Sequence, residues 1–156
     1  MKLSTRLRYG ARALVELAQA YPAGATPLRE IAEKQHLSVK YLEQLMAALK
    51  TAGLVKAARG VYGGYALTKE PSQITIWDVY RVFEGPPVLA ECADTPAVCP
   101  MAASCPTRGL WSEMSGLLLQ TMEATTLQDL LQRWAKPGLS DDGASPPGAP
   151  PGPSAA

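Results

Sequence analysis

The stretch from Leu37 to Gly53, LSVKYLEQLMAALKTAG, constrains this chain more than any other. Leu42, Leu45, Met46 and Leu49 recur at i, i+3, i+4 and i+7, the spacing that gathers one apolar face on a helix. Ser38 stands where an N-cap is needed, because its hydroxyl can accept from a backbone N–H left unpaired in the first turn. Gly53 suits the position just past the helix end, where φ turns positive. Lys40, Glu43, Gln44 and Ala47 fall on the opposite face. A chain holding this segment must cover four apolar side chains with neighbouring helices and leave the polar side outward.

The neighbours are legible on both sides. A helix is predicted from Ser4 or Thr5, with Leu7, Ala11, Leu14, Val15 and Ala18 buried, stopping at Tyr21-Pro22-Ala23-Gly24. Arg6, Arg8 and Arg12 lie on its other side and serve equally well as solvated charge or as phosphate contacts. Thr26-Pro27 reads as the N-cap and first position of a second helix, with Leu28, Ile31 and Ala32 inward and an end near Gln35-His36. The short turn to Ser38 then makes a helix-turn-helix. His36, the only histidine, is expected on that turn as an ordinary polar residue, without a partner for metal or catalytic duty.

Beyond Gly53, Leu54–Ala58 and Tyr65–Thr68 read as two strands around Arg59-Gly60-Val61-Tyr62-Gly63-Gly64, with Gly63-Gly64 supplying the positive φ of a hairpin turn. A basic, glycine-rich hairpin after a recognition-type helix is a DNA-reading arrangement, and Arg59 at the tip suits a narrow minor groove. Lys40 would supply salt-dependent phosphate affinity, while Glu43 and Gln44 would read base edges. Tyr41 either touches phosphate or packs inward.

Further on, Thr75-Ile76-Trp77-Asp78 has the form of a capping box, and Ile76, Val79, Tyr80 and Phe83 make the core stripe of a helix ended by Gly85-Pro86-Pro87. Residues 88–106 show no sustained periodicity. A long helix is predicted from Pro106 to Glu123, with Leu110, Trp111, Met114, Leu117, Leu118 and Met122 forming an apolar face wider than one contact stripe. Such a face needs a second partner surface, most simply its own copy in a homodimer. Thr126–Trp134 reads as a last short helix, and residues 137–156 as a disordered tail poor in large apolar side chains.

The fold class is therefore mainly α with a small β-hairpin wing: a winged helix-turn-helix plus a long C-terminal dimerisation helix. The expected organisation is one regulator domain over 1–134, with 1–70 facing DNA, 88–106 a cysteine loop and 106–134 the dimerisation helices. Charge supports this division. Residues 1–70 hold 11 Lys/Arg against 5 Asp/Glu and residues 71–156 hold 4 against 9, giving the overall net charge of +1. A basic half suits phosphate. No apolar run approaches the roughly 20 residues of a membrane span, and the N-terminus mixes charge into its apolar residues unlike a signal peptide, so a cytoplasmic place and no membrane partner are expected.

Cys92, Cys99 and Cys105 are spaced C-x6-C-x5-C. An odd count argues against disulfides, and a structural zinc usually wants four ligands with closer pairs. An iron–sulfur cluster accepts wider spacings, and Cys99-Pro100 and Cys105-Pro106 match the Cys-Pro of cluster sites. On the residues alone, a cluster and inert or redox-active thiols stand level. An enzyme, for example a thiol redox catalyst, is disfavoured: no His neighbours a Cys, and no CxxC, phosphate loop or carboxylate pair occurs.

MKLSTRLRYGARALVELA, LREIAEKQHLSVKYLEQL, GLVKAARGVYGGYALTK and the cysteine loop followed by TRGLW, in that order, resemble the IscR-like winged-helix transcriptional regulators of the "Rrf-two" family. The resemblance covers roughly residues 1–134. It implies a winged-helix homodimer bound to a double-stranded DNA operator, with Ser38, Lys40, Tyr41, Glu43, Gln44 and Arg59 in the DNA-contacting set. It also implies an iron–sulfur cluster, 2Fe–2S ahead of 4Fe–4S, held by Cys92, Cys99 and Cys105 and reporting redox, iron or cluster status. The alternative is a cluster-free regulator of the same family, responding through thiols or a partner protein. Two departures stand out. The first spacer is one residue longer than the IscR-like C-x5-C, and Arg108 stands where those proteins place a fourth, histidine ligand. Arg8 likewise replaces the acidic ligand of the nitric-oxide-sensing branch. Glu91, Asp94, an external thiol or a residue of a partner subunit are the candidates for the open position.

Overall fold

Covering the leucines of the central helix takes elements from both ends of the chain. The computed structural model describes residues 3–60 and 63–135. Helices α1 (Thr5–Gln19), α2 (Leu28–Gln35) and α3 (Val39–Thr51) come first, followed by strands β1 (Val55–Ala58) and β2 (Gly64–Leu67). Helices α4 (Ile76–Phe83), α5 (Glu91–Asp94), α6 (Arg108–Ala124) and α7 (Leu127–Trp134) complete the order. Leu42, Met46 and Leu49 of α3 are fully buried beside Leu14 of α1, Ile31 of α2, Val79 of α4 and Leu127 of α7. Each such side chain contributes about 1.5–3 kcal/mol of transfer free energy. The core therefore ties the C-terminal α7 to the N-terminal helices.

The caps follow the sequence closely. The Ser4 hydroxyl accepts from the Leu7 N–H at 3.1 Å, and the Ser38 hydroxyl from the Tyr41 N–H at 3.2 Å. His36 closes α2 in the left-handed region at φ 53°, and Gly53 follows α3 at φ 74°. Thr75 and Asp78 form the expected capping box on α4. A second box, Thr126 with Asp129, starts α7, and the two helix starts are stitched together. The Ile76 N–H donates to the Thr125 carbonyl at 2.8 Å and the Leu127 N–H to the Ile74 carbonyl at 2.9 Å.

Three local expectations are corrected. Thr26 does not cap α2, whose N-cap is Pro27 without a side-chain bond. Its backbone instead pairs with Tyr65 in both directions, at 2.8 and 2.9 Å, and adds a single-residue bridge to the hairpin edge. Positive φ in the wing falls at Gly60 (117°), not at Gly63 or Gly64. What Gly64 provides is space: a Cβ there would overlap the Thr26 carbonyl. Finally, the cysteine loop is not wholly irregular. It holds the single turn α5 and a 3-10 turn at Pro96–Val98, closed by local bonds such as Thr95 N–H to Glu91 O at 2.8 Å. Elements this short carry no detectable period.

Helix α6 has no buried residue. Trp111, Leu118 and Met122 are half-buried on its inner side, whereas Leu110, Met114 and Leu117 are 49%, 40% and 55% exposed. The wide apolar face is thus divided between an inner side and an open stripe. None of the described helices is long and apolar enough to cross a membrane. The tail at 137–156 lies outside the described residues.

Candidate nucleic-acid interface and cysteine loop

Once Leu42, Leu45, Met46 and Leu49 are turned into the core, the 100° step of the helix turns Lys40, Glu43, Gln44 and Ala47 outward, and all four are exposed. Ser38 is exposed too, although its hydroxyl is occupied by the cap. Tyr41 lies half-buried at the edge of this face, its ring edge-on to Tyr9 of α1 with centroids 6.2 Å apart. Its ring packs on α1. Arg59 follows β1 directly and is exposed, next to the turn in which the Gly63 N–H donates to the Gly60 carbonyl at 2.9 Å. Strand register Val55↔Leu67 through Ala58↔Gly64 fixes where that turn projects.

The arginines of α1 divide. Arg12 donates from Nε to Gln35 Oε1 at 2.6 Å, and Gln35 Nε2 donates to Glu16 Oε1 at 2.6 Å. Glu16 and Gln35 are only 6% and 5% exposed. Lys34 adds ion pairs to Glu30 at 2.9 Å and to Glu16 at 3.6 Å. The hydrogen bond to Glu30 is the main reason the Lys34 ammonium is held above its ordinary pKa, with burial pulling the other way and the charges of Glu30 and Glu16 adding to the rise. Arg12 therefore ties α1 to α2 through its Nε. Arg6 lies over the Phe83 ring at 5.6 Å, and Arg8 is exposed. Periodicity did not single out this polar cluster. Its one sequence signal is a glutamate in the middle of the apolar run Ala13–Ala18.

In the cysteine loop, Cys92, Cys99 and Cys105 are all half-buried free thiols. Cys105 Sγ lies 3.3 Å from Thr107 Oγ1 at the start of α6. Hydrogen bonds from the Thr107 hydroxyl, then from backbone N–H groups there, hold this thiol below its ordinary pKa, and the Arg108 charge adds to the effect. Arg108 donates from Nε to the Cys92 carbonyl at 3.1 Å, bracing one end of the loop against the other. With Cys105, Ala102 and Ser112 it lines a cleft of about 310 Å³.

The donor chemistry of three free thiols suits a cluster. Among the described residues no three His, Cys, Asp or Glu side chains come together where they could hold a metal ion. Neither Glu91 nor Asp94 completes such a group with the cysteines.

Comparison with known proteins places this geometry. The model of the Rrf2 family, described as iron-dependent transcriptional regulators, matches residues 3–133. The regulator CymR of Bacillus subtilis is 43% identical over 132 residues, covering 83% of this chain and 89% of its own. Its solved structure, that of a global cysteine regulator, superposes with a TM-score of 0.74 over 85% of this chain and 98% of that one, at 40% identity. The protein rrf2 of Nitratidesulfovibrio vulgaris is 36% identical over 132 residues, covering 85% of this chain and 88% of its own. The structure of T. potens IscR matches with a TM-score of 0.69 and 37% identity, over 85% of this chain and 88% of that one.

Proposed function

This chain belongs to the Rrf2 family of transcriptional regulators, and from that premise we propose that it is a cytoplasmic homodimer that reads a near-palindromic DNA operator and is controlled through its cysteine loop. The observation that carries the DNA half is the bare polar face of α3 beside an exposed Arg59, on a helix whose other side is fully buried. Two such helices, one per subunit, enter successive major grooves. Lys40 binds phosphate, Glu43 and Gln44 read base edges, and Arg59 enters the minor groove. Ser38 presents the first turn, and Tyr41 holds α3 against α1. The open Leu110–Met114–Leu117 stripe of α6 supports the dimer.

For the signal, the arrangement favours thiol chemistry. Cys105 is hydrogen-bonded to Thr107, and the loop runs straight into α6. Modifying a thiol there changes the start of the proposed dimer helix and so the spacing of the two reading heads. The related CymR is described as a global cysteine regulator. A second reading, cluster sensing through Cys92, Cys99 and Cys105, rests on three free thiols in one loop and on the iron-dependent description of the family.

One preparation decides between the two. Anaerobically purified protein is assayed for iron, sulfide and visible absorption, then for binding to promoter fragments before and after oxidation. Colourless, iron-free protein whose affinity responds to oxidation is the expected result. Stoichiometric iron and sulfide would establish the cluster reading. A triple Cys→Ala variant with unchanged affinity and response would remove the loop from sensing altogether, and equal affinity for promoter and random duplex would refute the DNA reading.

A further inference from the structure

A cleft of about 720 Å³ opens between α1, α2 and α7, away from the cysteine loop and from the open stripe of α6. Its size falls within the range of small-molecule sites. Ala11, Val15, Leu130 and Trp134 form an apolar wall, and the Trp134 ring is 47% exposed. Arg12, Glu16, Lys34 and Gln35 form the polar end.

The hydrogen bonds at that end indicate what is wanted there. Glu16 is nine-tenths buried and already matched, Oε1 by Gln35 Nε2 and Oε2 by Lys34 Nζ. Gln35 is matched on both sides, since its Oε1 accepts from Arg12. Lys34 is shared between Glu16 and Glu30. Arg12 spends only Nε, and that bond fixes the plane of its guanidinium. Among the described residues no acceptor takes its Nη donors. A preset guanidinium fork with its outer donors free is the partner of a planar carboxylate, and the apolar wall beside it suits a hydrocarbon body.

We propose that this cleft binds a small amphipathic carboxylate as an effector, its acid group on Arg12 and its aromatic or branched body against Val15, Leu130 and Trp134. The inference adds a second input to the function proposed above and does not depend on the cysteines. Helix α2 is the first helix of the helix-turn-helix, and α7 is fastened to the start of α4. A ligand held between them favours one placement of α2 against the rest of the core, and it shifts DNA affinity by its preference for that placement.

The test uses the full chain and 3-phenylpropionate as probe, with the neutral 3-phenylpropan-1-ol beside it, followed by isothermal titration. Saturable binding of the acid is expected, with affinity about tenfold lower for the alcohol and for Arg12→Gln, as loss of a charge-assisted bidentate pair dictates. Trp134→Ala, at an exposed position, should weaken both probes. Circular dichroism checks that each variant is folded. No saturable binding, or variants that bind like the wild type, would overturn the site. Anisotropy with an operator duplex forms a separate arm: the acid should shift wild-type affinity and leave Arg12→Gln unmoved, and binding without any shift would overturn the effector role. Failure of DNA recognition itself would show in that arm alone, with the titration unaffected.

Discussion

At Gly64 the absence of a side chain decides how the wing meets the reading head. Its Cα faces the Thr26 carbonyl, and the Thr26–Tyr65 bridge closes beside it. Gly64→Ala is expected to push the hairpin off the start of α2 and to cost about 1–3 kcal/mol, the range for forced overpacking, read as a lower urea midpoint. Glu43 and Gln44 present the opposite case. Both are exposed and outside the core, so alanine at either should move stability by less than about 0.5 kcal/mol. The same changes should relax base preference by about 1–3 kcal/mol at the contacted position, measured by anisotropy on operator variants. Unchanged preference would take these side chains out of direct readout.

Two helices carry expectations as whole elements. The outer stripe of α6 is apolar and open, and Leu117 lies at its most exposed point. Leu117→Asp removes nothing from the subunit core, so the melting temperature of the monomer should hold while the sedimenting mass halves. A variant that stays dimeric would place the interface elsewhere. Helix α7 depends on the Asp129–Thr126 box at its start. Hydrogen bonds from the Thr126 hydroxyl and N–H hold the Asp129 carboxyl below its usual pKa. A carboxyl depressed in the folded state stabilises above its unfolded pKa, and that contribution is lost as pH falls through the folded value. Thermal stability should therefore fall on acidification, and Asp129→Asn should flatten part of that slope while lowering stability at neutral pH.

Across the whole molecule, charge and core run in different directions. The surplus of positive charge sits in residues 1–70, while the hydrophobic core joins α7 to α1 and α3. The logarithm of operator affinity should fall linearly with the logarithm of salt concentration. Lys40→Ala and Arg59→Ala should each reduce the slope by about 2 per dimer, one for each copy. A slope unchanged by either would assign phosphate contact to other cations.

Local order was readable from residues alone: the faces of α1 and α3, the caps at Ser38 and Thr75, the hairpin, and the wide apolar face of α6. Each is fixed by neighbours within one or two turns, where spacing and side-chain chemistry act directly. Tertiary structure decided everything that depends on distant partners. Thr26 gave up a cap because Tyr65 offered two backbone bonds, and Tyr41 turned inward because Tyr9 lay beside it. Glu16 was tolerated in the core because Gln35 and Lys34 met it there. The cysteine spacing was compatible with a shared inorganic centre, yet whether three sulfurs converge depends on how the loop is braced, and Arg108 braces it through the Cys92 carbonyl.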